Sequence, residues 1–349
     1  MSVIATTPKV SAVLIFLNGE DFIAEAIESV RTQTFTDWEL ILVDDGTTDG
    51  ARAIAHGYAE REPQRIRLIE HPGHANRGMS ASRNAGIAAA RGNIITFIDA
   101  DDIWLPRRLA AHVAILDQHP EIGVVLGATM WWRSWMTDGR SWLKPWLYTD
   151  TVHQSGLPLD RVIAPPEVAI NYLESRGGSM PGICSVTVRR DVVRAVGGFN
   201  DDFRTLFEDQ VFHFRTALRV PIWASDEVVA CYRQHDESAC NKEGRMASDL
   251  RMRPLFLAWL QDHLVDSGCK DARLWKAFRA EMMRFDQPTL WWWTRLPVRA
   301  RDWWNVHRQR LWIMLLTPAG YNRLRRWLGM SHADQVPALH EPVTPEMLS

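Results

Sequence analysis

The regular alternation of strand-like and helix-like segments is the feature that most constrains what this chain can fold into. Continuous apolar runs rich in branched residues predict buried strands, and the segments between them carry apolar residues at helical spacing. The expected strands lie at 10–17, 38–43, 66–69, 94–98 and 124–129. This order predicts βαβ units with right-handed crossovers. We therefore expect an α/β fold with a Rossmann-like, mostly parallel central sheet flanked by helices.

The alternation becomes less regular after residue 130, and strand patterns end near residue 245. Further strands are expected at 183–188 and 228–232, and further helices at 191–196, 209–218, 250–264 and 271–284. We predict two parts on this basis. An α/β domain covers 1–244, with halves at 1–130 and 131–244, and a helical extension rich in Trp and Arg covers 245–349.

The composition is that of a globular protein without a charge bias, with 46% apolar residues and a formal net charge of −2. No basic excess indicates nucleic acid as a partner. The four cysteines contain no C-x-x-C pair, which argues against a disulfide framework or a structural zinc site. The first nine residues do not resemble a secretory signal, and no run of about 18 apolar residues could span a bilayer. We expect a cytoplasmic location.

Three carboxylates occur within four residues at Asp99-Ala100-Asp101-Asp102, directly after an expected strand. Such carboxylates repel one another and need a cation or hydrogen-bond donors to stay ionised together. Oxygen ligands of this kind suit Mg²⁺ or Mn²⁺. A solvated helix cap is the alternative interpretation, and the position at the carboxyl end of a strand favours the metal site.

Two further motifs lie where a ligand site would form. Asp44 and Asp45 end a second expected strand, and the alternative to a binding role is a turn with a helix cap. Arg83 lies in the first turns of an Ala-rich helix that follows a Gly-containing loop. A helix N-terminus with an arginine suits phosphate or base contacts, and surface solubility is the alternative. Both acidic clusters end strands, so we expect them to share one site.

Read in order, VDDGTTDG, GMSASRNAGIAAARG and FIDADD resemble the family 2 glycosyltransferases, the large inverting group with the GT-A fold. The resemblance covers about residues 8–240 and does not extend to the tail. One departure is Ile15-Phe16-Leu17-Asn18, where the family often has Pro-x-Tyr-Asn, which affects the expected stacking on the base. The resemblance implies that 1–130 is the nucleotide-binding half and 131–244 the acceptor and catalytic half.

The resemblance also implies roles for individual residues. Asp44 and Asp45 would bind the base, Arg83 would contact the nucleotide, and Asp99 would approach the ribose. Asp101 would coordinate the divalent metal with Asp102 as a helper, and His235 of Tyr232-Arg233-Gln234-His235 would face the metal or the diphosphate. Asp209 of Phe207-Glu208-Asp209 would be the catalytic base, with Glu208 in support. The segment 177–182 would lie near the donor sugar.

The expected function is that of an inverting glycosyltransferase that depends on Mn²⁺ or Mg²⁺. It would transfer a sugar from a nucleotide sugar, expected to be a UDP-sugar, to a glycan or lipid-linked acceptor. A nucleotidyltransferase of the same fold is one alternative, but its usual basic, Gly-rich first loop is acidic here at 17–21. A non-catalytic module that binds nucleotide sugars or glycans is the other. Assembly of the chain into a homo-oligomer is left open.

Tryptophans occur in two groups, and each group allows two interpretations. An amphipathic helix at 301–316 would give peripheral contact with a membrane, whereas a helical cap would pack on the core or on another subunit. The cluster of Trp131, Trp132, Trp135, Trp142 and Trp146 would stack on acceptor sugar rings or belong to the core.

Overall fold

The computed structural model describes residues 7–135, 149–153, 155–175, 177–235, 238 and 245–289. Trp142, Trp146 and the tail at 290–349, including the expected amphipathic helix, lie outside these residues. No helix within the described ranges is long and apolar enough to cross a bilayer.

A ten-stranded sheet forms the centre of the described chain, with the strand order β3-β2-β1-β4-β9-β6-β10-β5. The strands β3, β2, β1 and β4 run parallel, β9 is antiparallel to both β4 and β6, and β10 is parallel to β6. The short strands β7 and β8 pair with β6 and β10. The strands are β1 Val10–Phe16, β2 Trp38–Asp44, β3 Ile66–Glu70, β4 Ile94–Asp99, β5 Ile103–Trp104, β6 Val124–Trp132, β7 Thr151–Val152, β8 Val162–Ile163, β9 Val186–Arg189 and β10 Ile222–Arg233.

Helices join these strands and bury apolar faces against them, as the helical spacing in the sequence predicts. Within the described residues, two more helices follow β10. The helices are α1 Ile23–Arg31, α2 Ala51–Arg61, α3 Met79–Ala89, α4 Arg108–Gln118, α5 Glu167–Glu174, α6 Arg190–Val196, α7 Glu208–Ala217, α8 Arg245–Asp266 and α9 Ala272–Asp286.

The expected α/β architecture is confirmed, with differences in the second half. The strand expected at 183–188 begins only at Val186, because Ile183–Ser185 forms a 3₁₀ turn. The last strand begins at Ile222 rather than at 228, and it contains an irregularity in its pairing with β6. Two-residue strands carry no usable periodicity, so β5, β7 and β8 were not predicted. The helix α5 was not predicted either, and it lies in the stretch after residue 130 where the alternation becomes less regular.

The parallel register places the candidate site at one edge of the sheet. Phe16 at the end of β1 pairs with Asp44 of β2, and Ile15 pairs with Asp99 of β4. Asp44 and Asp99 therefore lie on the two sides of β1, two strand spacings or about 10 Å apart. The prediction that both acidic clusters lie at the same edge is confirmed for these two residues.

A close approach of α3 to β1 gives a testable packing prediction. A Cβ at Gly86 would lie 2.3 Å from Val13 Cγ1, in the middle of the sheet. Gly86→Ala should therefore destabilise the fold by about 1–3 kcal/mol. Gly57→Ala in α2 is the control, because nothing lies within 4 Å of its Cβ position and Ala is the better helix former. Urea unfolding should show opposite signs for the two variants; equal stability of Gly86→Ala and wild type would contradict the packing.

Candidate functional site

Asp44, the last residue of β2, is fully buried and shapes the turn that follows it. Its Oδ1 accepts hydrogen bonds from the backbone N–H groups of Gly46 (3.1 Å) and Thr47 (2.8 Å). Its Oδ2 lies 3.0 Å from His74 Nε2 and 3.5 Å from Arg52 Nε. Contact between Asp44 and a nucleotide base stays a prediction.

Asp45 connects this turn to the loop before α3. Its Oδ1 accepts from Arg77 N at 2.7 Å, and its Oδ2 accepts from Gly78 N at 3.0 Å. Gly78 has a φ of 87°, and a Cβ there would lie 2.8 Å from the carbonyl oxygen of Arg204. The loop can therefore approach residue 204 only with glycine at this position. Asp45 thus holds the loop that leads into α3, and its contact with a base also stays a prediction.

Arg83 is buried and joins two parts of the site that are distant in sequence. Its Nη2 donates to Asp99 Oδ1 at 2.7 Å, and its Nη1 donates to Glu208 Oε1 at 2.8 Å. Asp99 ends β4 and Glu208 begins α7. Both carboxylates raise the pKa of the guanidinium further above its ordinary value, against the lowering effect of burial. In this conformation Arg83 binds protein carboxylates, and its contact with a nucleotide stays a prediction.

Asp99 lies among several carboxylates. Burial raises its pKa, Arg83 opposes that rise, and the negative charges of Asp101 and Asp209 add to it. The hydrogen bonds of Arg83 to Asp99 and Glu208 bring the acidic residues after β4 and those of α7 to one site. The clustering of like charges is typical of sites that bind a cation.

Asp101 and His235 face each other across the site, with Asp101 Oδ2 2.9 Å from His235 Nε2. Asp101 follows β4, and His235 follows the end of β10. Their side chains are partly exposed, at 27% and 11%. A carboxylate and an imidazole in this arrangement could contact the same divalent ion.

Asp102 lies beneath this pair and is buried. Its Oδ1 accepts a hydrogen bond from Arg233 N at 3.0 Å, whereas its Oδ2 is buried without a hydrogen-bond partner among the described residues. Burial, Asp101 and Asp99 raise the pKa of Asp102 well above its ordinary value. A role for Asp102 as a helper in metal binding stays a prediction, and direct coordination would need the carboxyl to become exposed.

Glu208 and Asp209 form the first turn of α7, which begins after Phe207 in a left-handed conformation with a φ of 65°. Glu208 is buried against Arg83, whereas Asp209 is partly exposed and its Oδ1 accepts from Gln210 N at 2.7 Å. Burial and the neighbouring Asp209 raise the pKa of Glu208 to about 7, although Arg83 opposes the rise. The two neighbouring acids therefore differ in access to the site.

The raised pKa of Glu208 predicts a pH-dependent stability. Between its ordinary value of 4.5 and about 7, the folded protein holds a proton that the unfolded chain has lost. The free energy of unfolding therefore falls as the pH rises through this window. The free energy of unfolding of Glu208→Gln, relative to that of wild type, should rise by about 1–3 kcal/mol from pH 5 to pH 8. Urea unfolding at the two pH values measures this change. The control is Glu174→Gln at the exposed end of α5; a Glu208→Gln difference that is the same at both pH values would contradict the burial effect.

The segment 177–182 lies between α5 and the 3₁₀ turn before β9. His153 Nε2 contacts Gly178 O at 2.7 Å, and Ser179 Oγ donates to Asn171 Oδ1 at 2.6 Å. Gln210, in the same helix as Asp209, lies close to Gly177, because a Cβ at Gly177 would be 3.1 Å from Gln210 Oε1. The segment thus lies beside α5 and the helix of the candidate base, and its proximity to a donor sugar stays a prediction.

A second group of side chains also has the geometry of a metal site. Atoms of Asp44, Glu70 and His74 lie within 4.8 Å of one another. Arg52, however, contacts both Asp44 and Glu70 and already supplies positive charge there. This group therefore has a cationic partner from the chain itself.

Sequence reasoning missed Arg233, which contacts both Asp101 and Asp102 from β10. It also did not predict that two tryptophans of the expected cluster, Trp132 and Trp135, pack around this arginine. Trp131 instead stacks on His153, with ring centroids 6.0 Å apart. The motif Tyr232-Arg233-Gln234-His235 contains Arg233, but only His235 was assigned a role in it.

Comparisons with known proteins show which family this chain is similar to. The family described as glycosyl transferase family 2 matches residues 11–161. The uncharacterized glycosyltransferase EpsJ of Bacillus subtilis is 30% identical over 272 residues, which cover 76% of this chain and 73% of EpsJ. An uncharacterized glycosyltransferase of Nostoc sp. is 37% identical over 117 residues, 34% of this chain and 35% of that protein. EpsE of Bacillus subtilis is 42% identical over 118 residues, which cover 34% of this chain and 42% of EpsE.

The chain therefore spans less than half of EpsE and of the Nostoc protein, and about three quarters of EpsJ. Among solved structures, the mannosyltransferase PcManGT from Pyrobaculum calidifontis, in complex with GDP-Man and Mn²⁺, is similar with a TM-score of 0.54 and 18% identity. The similarity covers 93% of this chain and 81% of that chain, and it extends to the fold alone.

Proposed function

The chain belongs to glycosyltransferase family 2, and we propose that it transfers a sugar from a nucleoside-diphosphate sugar to a glycan or lipid-linked acceptor, with inversion at the anomeric carbon. One observation carries this proposal: Arg83 hydrogen-bonds both Asp99, at the start of the acidic turn, and Glu208, the neighbour of Asp209 in α7. A candidate metal site and a candidate base thus occur together at the edge of a GT-A fold.

We assign the divalent metal, Mn²⁺ or Mg²⁺, to Asp101 and His235, with Asp102 in support. The carboxylate oxygen and the imidazole nitrogen face each other, and this donor set fits Mn²⁺ well. The bound ion would supply Lewis acidity toward the leaving diphosphate. The mannosyltransferase with the similar fold was solved with Mn²⁺, which supports testing that ion first.

Asp209 is the base in this proposal, because its carboxylate is partly exposed while Glu208 is buried against Arg83. Asp209 would accept the proton of the acceptor hydroxyl as that oxygen attacks the anomeric carbon. A single base on the face opposite the leaving group suffices for inversion. Glu208 would hold Arg83, and through it Asp99, in position.

The nucleotide would occupy the ends of β1, β2 and β4. Asp44 and Asp45 would contact the base, and Asp99 with Arg83 would approach the ribose side. The proposal keeps 1–244 as the glycosyltransferase domain and 245–349 as its helical extension. We propose peripheral membrane contact only through the extension, as an alternative to subunit packing.

A donor panel tests the proposal. The purified full chain would be titrated with UDP-, GDP- and dTDP-sugars in the presence of Mn²⁺ or EDTA, with binding followed by calorimetry. We expect metal-dependent binding of one nucleotide class, a UDP-sugar being the first candidate, and loss of that binding in Asp101→Ala. If no nucleotide binds with metal present, the assignment is wrong, and a scaffold role on this fold becomes the better interpretation.

A further inference from the structure

Arg233, at the end of β10, is an almost fully buried arginine at the edge of the candidate metal site, with 4% of its side chain exposed. We propose that Arg233 is a positioning residue that holds Asp101 and His235 in the geometry needed to bind a divalent cation. The inference rests on the proposed function and adds to it a residue outside the assigned metal, base and nucleotide positions.

Polar contacts join Arg233 to both sides of the site. Its Nε donates to the carbonyl oxygen of Asp101 at 2.8 Å, and its backbone N–H donates to Asp102 Oδ1 at 3.0 Å. Its Nη2 pairs with Glu25 in α1. The side chain of Arg233, the last residue of β10, therefore binds the backbone of the acidic turn after β4, and His235 lies two residues further along the chain.

Aromatic rings surround the guanidinium. Its carbon atom lies 4.5 Å from the ring centre of Trp132, 4.8 Å from that of Trp135 and 4.9 Å from that of Phe22. Cation–π contact of this kind stabilises the guanidinium electrostatically. The cage leaves the guanidinium little freedom to turn away from Asp101.

The same rings contact the histidine. The centroid of the His235 ring lies 5.1 Å from that of Phe22 and 6.3 Å from that of Trp135. Trp135 Nε1 also donates to the carbonyl oxygen of Gln234 at 3.1 Å. One cluster, made of Arg233, Phe22 and Trp135, therefore fixes the backbone of Asp101 and the ring of His235 together.

The fork of an arginine is required for this arrangement. A lysine keeps the charge but has one terminal nitrogen, so it cannot fill the space among the three rings while donating to Asp101 and Glu25 at once. The pair with Glu25 contributes little by itself, since 55% of the Glu25 side chain is exposed. The contact with Asp101 inside the cage is the part that affects the site.

The test measures Mn²⁺ affinity directly, by the electron paramagnetic resonance signal of free Mn²⁺, with the full chain in the presence and absence of UDP. Arg233→Lys should bind Mn²⁺ about 10–100-fold more weakly than wild type, the range typical of groups that orient metal ligands. Asp101→Asn is the reference for loss of a ligand.

Arg65→Lys is the matched control. Arg65 also stacks on a buried tryptophan, 3.6 Å from the ring centre of Trp38, and its Nη2 donates to the carbonyl oxygen of Thr36 at 3.0 Å. It lies at the start of β3, away from Asp101 and His235. The Mn²⁺ affinity of Arg65→Lys should match that of wild type. The comparison then separates the general effect of losing a guanidinium beside a tryptophan from a specific effect on the metal site.

The outcomes are distinct. If Arg233→Lys is folded and binds Mn²⁺ within twofold of wild type, the positioning role is overturned while the proposed function stands. If wild type itself does not bind Mn²⁺, the metal assignment and this inference both fall. If Arg233→Lys does not fold, Trp132→Leu decides: it removes one wall of the cage and should weaken Mn²⁺ binding several-fold, and unchanged binding would overturn the inference.

Discussion

Asp209→Asn should lower sugar transfer by about 10²–10⁴-fold while donor binding stays within a few-fold of wild type. The amide keeps the size of the side chain and can still accept the hydrogen bond from Gln210 N. It cannot take a proton from the acceptor hydroxyl, so only the chemical step should suffer. The measurement is single-turnover transfer, compared with calorimetric binding of the donor in the presence of Mn²⁺.

Two variants make this result specific. Asp202→Asn removes an exposed carboxylate from the turn before α7 and should leave transfer unchanged. Glu208→Gln should cost less than Asp209→Asn, because Glu208 acts through Arg83. Near-normal turnover of Asp209→Asn would mean that another group is the base, and a larger loss in Glu208→Gln would reverse the two roles.

Arg83→Met should destabilise the protein by about 3–5 kcal/mol, the usual cost of removing one partner from a buried ion pair. The substitution leaves the carboxylates of Asp99 and Glu208 without their shared counterion, and Glu208 is only 5% exposed. Denaturant unfolding at pH 8 is the measurement, because both carboxylates are then most costly to bury. Adding Glu208→Gln should recover part of the loss.

A surface arginine with the same number of partners is the comparison. Arg31 pairs with Glu28 and Glu62, and 34% of its side chain is exposed. Arg31→Met should cost no more than about 1 kcal/mol, because water screens exposed pairs. If the two variants lose similar stability, the buried arrangement around Arg83 does not carry the energy we assign to it.

The first half of the fold could be predicted from the sequence because its information is local. Apolar runs and helical spacing depend only on neighbouring residues, so β1 to β4 were located to within a few residues and helices were predicted between them. The second half was harder, because two-residue strands such as β5, β7 and β8 exist only through their pairing partners.

The candidate site shows the same division. The sequence placed Asp44 and Asp99 at strand ends, and the parallel register then brings those ends to one edge. The roles implied by the family resemblance rest on the order of the motifs, and the variants above test them.

The sequence by itself determined the α/β alternation, the positions of the acidic motifs and the family, since these depend on residue order and local periodicity. Only the tertiary structure decided which residues these charged side chains contact. Arg83 joins carboxylates that are 16 and 125 residues away, and Arg233 reaches Asp101 across 132 residues. The antiparallel β9 between β4 and β6 is also a long-range result. Burial makes these contacts selective, because a buried charge must find its counterion wherever the chain brings one.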